Sequence, residues 1–110
     1  MIRMRKLAML LPVLLLAACG INPAERNNAG NWHYERDEYD AAISAYRAAQ
    51  VVEPDMALLY FNAASALAGT GKLDAAMASL EQAVARGDDA LAASAYHNLG
   101  NLYFNQNDYE

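Results

Sequence analysis

Cysteine is nearly absent: the 110-residue chain has one, Cys19. No intrachain disulfide is possible, so any core must hold by packing alone. Basic residues are scarce too, with 8 Lys and Arg against 13 Asp and Glu and a net charge of −5. An acidic chain is repelled by phosphate backbones, which argues against nucleic acid as a partner. No stretch alternates polar and apolar residues over a strand's length, so no sheet is expected. No apolar run reaches the roughly 20 residues that cross a bilayer. Patterns that carry chemistry are missing as well: there is no phosphate-binding loop, no paired-cysteine metal site and no HExxH. His33 and His97 share no third ligand at a fixed spacing. Ser44, Ser65, Ser79 and Ser94 have no base at a predictable distance. Asp37, Glu38 and Asp40 cluster at a helix-to-helix turn, where carboxylates favour the next helix dipole rather than a cation site. The expectation is no enzyme, no cofactor and no metal.

What is present begins with a leader. Arg3, Arg5 and Lys6 precede an apolar stretch, LAMLLPVLLLAA over residues 7–18, and small residues follow. That order is the pattern of a secretory signal, and Pro12 opposes a stable spanning helix. Leu16-Ala17-Ala18-Cys19 resembles a bacterial lipobox. The resemblance implies that the Cys19 thiol takes a diacylglyceryl group, that residues 1–18 are removed, and that residues 19–22 form a lipidated tether. Two or more acyl chains give a stable anchor where one does not. An ordinary cleaved signal with an incidental thiol is the alternative. Loss of residues 1–18 would move the net charge from −5 to −8. The implied location is the bacterial envelope, lipid-anchored and facing the periplasm, on the outer membrane if the cell is Gram-negative.

Beyond the leader, Ala, Leu, Glu and Gln dominate, with apolar residues three and four apart. Asn22-Pro23-Ala24-Glu25 reads as a helix start. Pro54, Gly69, Gly71 and Gly87 fall where helices should end. The spacing predicts helices over 24–36, 39–52, 56–68, 73–86 and 90–105. Trp32, Tyr34, Tyr39 and Tyr46 are expected mostly in the core, with Tyr39 and Tyr46 on one buried face.

The helices repeat. Gly30, Ala64 and Gly100 hold one small position, and Ala42, Tyr46 and Ala49 answer to Ala76, Leu80 and Ala83. Tyr60, Tyr96, Leu99 and Tyr103 fill the large positions, and Pro54 closes the first unit. This pattern resembles tetratricopeptide repeats, antiparallel helix pairs with a period of 34 residues. The resemblance implies an all-α, right-handed α-solenoid over residues 23–110, of about two and a half units. Their approximate bounds are 23–56, 57–92 and an incomplete 93–110. Gly87-Asp88-Asp89 replaces the closing proline of the second unit, which runs about two residues long.

The resemblance further implies a concave groove lined by the first helix of each pair. Its partner-binding positions would be Asn31 and Tyr34, then Leu58, Phe61, Asn62 and Ser65, then His97, Asn101 and Phe104. Asn27, Glu35, Ala68 and Asn105 complete the groove positions. No Lys or Arg stands at these positions, so a terminal-carboxylate clamp would lack its charged donors. An extended or helical peptide with apolar and amide-bonding groups suits the groove better. The expected function is an envelope-anchored scaffold that binds a peptide or protein partner. An alternative is the N-terminal segment of a larger protein whose activity lies beyond residue 110. The pattern breaks off after a first helix, with Leu99, Leu102 and Tyr103 expected to have one side uncovered, so self-association there is a further expectation.

Overall fold

The computed structural model describes residues 22–107. The leader, Cys19 and most of its tether, and Asp108 to Glu110, lie outside the described residues. Five α-helices follow in order: α1 Pro23–Tyr34, α2 Tyr39–Val52, α3 Ala57–Gly69, α4 Leu73–Arg86 and α5 Asp89–Asn107. No strand occurs among the described residues.

Local chemistry sets the ends. The Asn22 side chain accepts from the Ala24 amide at 2.9 Å, and Pro23 takes the first turn, where its missing N–H costs nothing. Asp88 does the same for α5, accepting from the Leu91 amide at 2.9 Å. The ends of α1 and α3 are built alike. The Glu38 amide donates to the His33 carbonyl and the Asp37 amide to that of Tyr34. Lys72 to Leu67 and Gly71 to Ala68 repeat the arrangement. This is the Schellman motif, and it requires a left-handed residue just past the helix. Asp37 (φ 59°) and Gly71 (φ 78°) supply it, 34 residues apart. The motif also ends α1 two residues short of the predicted limit of 36.

Each helix packs most closely on its sequence neighbours, α1 on α2 and α3 on α4, then α2 on α3 and α4 on α5. Alternate helices α1, α3 and α5 touch lightly. This is an all-α solenoid of antiparallel helix pairs. Small residues set the spacing. Ala42, Ala49, Ala76 and Ala83 are fully buried, while Tyr46 and Leu80 fill the space between them. One cluster joins Ala42, Ile43 and Tyr46 to Ala63, Ala66, Leu67 and Ala76; a second joins Ala64, Met77, Leu80 and Ala83 to Ala95 and Leu99. Leu102 packs against both. No described polar or charged residue is buried.

Polar ties reinforce the joints. Tyr60 Oη and Arg86 Nε both donate to the Pro54 carbonyl, at 2.8 and 2.9 Å, pinning the α2–α3 corner to the end of α4. The Arg86 guanidinium also lies over the Tyr60 ring, 4.8 Å from its centre.

The aromatic expectation needs correction. Tyr46 is buried and Tyr39 half-buried, but Trp32 and Tyr34 are 51% and 39% exposed. The reason is rotational: Gly30 faces α2, and Trp32 falls about 200° around the helix from it. The Arg36 guanidinium covers the Trp32 ring from 3.6 Å and donates to its carbonyl. Leu99 is also better covered than expected, at 7% exposed, because Ala95 and Leu99 pack onto α3 and α4. Tyr103, at 52%, is open.

Candidate functional site

The face shared by α1, α3 and α5 holds a cavity of about 220 Å³. Tyr34 of α1 forms one wall, and Ala64, Ser65 and Ala68 of α3 run along the centre. Asn98, Asn101 and Leu102 of α5 form the other wall, and Leu80 of α4 reaches in from behind. No charged side chain lines it. Among the described residues no group of three or more His, Cys, Asp or Glu is placed to hold a metal.

The repeat register explains why this space exists. Tyr34, Ala68 and Phe104 occupy one repeat position, four residues after Gly30, Ala64 and Gly100. Two units carry a ring there and the middle one carries a methyl. The cavity lies against that methyl.

The expected binding positions divide into three groups. Tyr34, Ser65 and Asn101 line the cavity. Asn31 and Asn62 are engaged internally: the Tyr46 hydroxyl donates to Asn31 Oδ1 at 2.6 Å, and Asn62 Nδ2 donates to Asn27 Oδ1 at 2.9 Å. The last bond ties α1 to α3 across the groove. Leu58, His97 and Phe104 are exposed and outside the cavity wall, while Phe61 is half-buried against the α4–α5 cluster.

Asn98 and Leu102 were not among the expected positions. A signal for Asn98 existed in the sequence, because it repeats Asn62 one unit later. Asn62 finds Asn27 on the preceding first helix; the residue at the matching repeat position for Asn98 is Phe61, whose side chain offers no acceptor. The Asn98 and Asn101 amides bond to no other described side chain. Each brings two donors and one acceptor, the complement of a peptide main chain. Ser65 instead donates back to the Phe61 carbonyl.

Two tyrosines of α2, outside the cavity lining, have hydroxyls shifted from their ordinary value. Burial pushes the Tyr46 hydroxyl up to about 12, with smaller contributions from Tyr34 and Glu35, so it remains a hydrogen-bond donor at ordinary pH. The Asp37 carboxylate accepts from the Tyr39 hydroxyl at 3.1 Å and raises that group as well.

Residues 57–86 and 92–110 each match a family described as tetratricopeptide repeat. No curated protein matches the chain. Among solved structures it is similar to the solution structure of protein BPP2914 from Bordetella parapertussis. The two are 25% identical with a TM-score of 0.71 over 84% of each chain. Those two segments resemble tetratricopeptide repeats, which in general serve as scaffolds for protein partners.

Proposed function

We propose that this chain is an envelope-anchored scaffold whose groove holds a segment of a partner protein. The observation that carries the binding half is the cavity between α1, α3 and α5, with the unpaired Asn98 and Asn101 amides on its wall. A main chain laid along α5 would exchange hydrogen bonds with those solvent-facing amides. A volume of about 220 Å³ lies below the range of whole small-molecule sites, and suits one side chain of a longer ligand. The lack of charge in the cavity suits an uncharged stretch.

The anchoring half rests on the Leu16-Ala17-Ala18-Cys19 sequence. No described helix is long and apolar enough to cross a membrane. A lipid on Cys19 would then supply the attachment, with the groove facing the periplasm. Labelled palmitate should enter the full chain and be lost in Cys19→Ser; labelling that survives the substitution refutes the anchor.

For the groove, random peptides displayed on phage are selected against the full 110-residue chain held in detergent. Selected peptides should lose at least about tenfold in affinity for the double variant Asn98→Ala, Asn101→Ala, since two hydrogen bonds of about 1 kcal/mol each are removed. Peptides that bind the double variant as well as the parent would overturn the groove reading. Both sites are on the surface of α5, where alanine favours the helix, so the thermal midpoint should not fall.

A further inference from the structure

We propose that the cavity is a receptor for one aromatic side chain, carried by a neutral or basic segment of the partner. This rests on the groove reading above and names what the groove selects. Three observations lead to it. First, Ala68 stands where the flanking units carry Tyr34 and Phe104, so the repeat has a ring-sized vacancy at its middle unit. Second, the volume fits. A cavity of roughly 150 Å³ in an apolar core admits a benzene molecule, so about 220 Å³ takes a phenyl or phenol ring with the methylene that joins it to a main chain. Third, the surroundings suit an aromatic. Ala64, Ala68, Leu80 and Leu102 give an apolar floor, and the Tyr34 ring on the wall offers an edge-to-face partner.

Charge sets the flanks. No charged group lines the cavity. Outside it, acids outnumber Lys and Arg between Asn22 and Asn107. The net negative charge of the described residues disfavours a segment with acidic neighbours and attracts one with Lys or Arg beside the aromatic. The Asn98 and Asn101 amides then hold the main chain on either side of the inserted ring.

The same display selection tests this. The expected consensus has one Phe or Tyr flanked by neutral or basic residues. Changing that residue to Ala in the peptide should weaken binding about ten- to a hundredfold, the loss of one buried aromatic side chain. Ala68→Phe fills the vacancy with the ring its neighbours already carry, and should weaken binding at least about tenfold. The peptide substitution leaves the protein untouched, so it decides even if Ala68→Phe lowers the melting temperature. Peptides that depend on Asn98 and Asn101 but carry no aromatic, or that bind Ala68→Phe normally, overturn the aromatic receptor and leave the groove standing. No enrichment, or binding indifferent to every substitution, overturns both.

Discussion

Gly30 and Gly100 hold the same repeat position on two first helices, and their surroundings are opposite. A Cβ built on Gly30 would lie 2.3 Å from the Tyr46 ring, closer than any real contact allows. A Cβ on Gly100 would meet no described atom within 4 Å. One glycine is required by close packing, because α2 lays an aromatic ring across α1 there. The other has the same sequence context and no described partner. A repeat position therefore specifies a residue type without guaranteeing the contact that makes the type necessary. The flanking stripe agrees: Tyr96 and Tyr103, one turn to either side of Gly100, are 63% and 52% exposed.

The sharpest way to probe the contrast is to remove the ring that fills the Gly30 site. Tyr46 is 1% exposed, so Tyr46→Ala should cost about 3–5 kcal/mol in urea unfolding, enough to leave the α1–α2 pair unfolded. Gly30→Ala comes next. The added methyl must displace the ring, at about 1–3 kcal/mol. The matching change on α5, Gly100→Ala, should have the opposite sign and gain about 0.5–1 kcal/mol, because alanine is the better helix former and no described atom opposes it. If Gly100→Ala were as damaging as Gly30→Ala, α5 would have a packed neighbour in solution and the contrast would fail.

The smallest effect is confined to alkaline solution. The Tyr46 proton is held to about 12 in the fold, against an ordinary value of 10.0. Its contribution is therefore complete below pH 10 and is lost as pH climbs towards 12, because the unfolded chain ionises first. Tyr46→Phe abolishes that titration, so stability should fall less steeply with pH over this window. It also gives up the bond to Asn31, at about 1 kcal/mol at neutral pH. An unchanged slope would mean that the hydroxyl is solvated.

Most of the helix plan was legible in the chain. The predicted segments 39–52 and 73–86 coincide with α2 and α4, since Glu38 and Lys72 precede strongly periodic runs and Glu53 and Gly87 end them. The groove was legible less evenly. Tyr34, Ser65 and Asn101 share its face by helical spacing alone. That Asn31 and Asn62 spend their amides within the protein depends on which residue faces them across a helix pair, a relation between units. Asn98 illustrates the same relation: an identical residue type is bonded in one unit and not in the next, where the position matching Asn27 is Phe61. Trp32 shows the limit of reading aromatics as core, since a large ring can stay outside when a cation covers its face.

Sequence alone determined the helices, their antiparallel pairing and the small-and-large alternation at the joints. Those features follow from residue spacing of 3.6 per turn and from which side chains permit close approach. Only the tertiary structure decided that the methyl of Ala68 leaves a cavity between Tyr34 and α5, and which amides line it unpaired. A void is set by the side chains that surround it from four different helices, and no single helix carries that information.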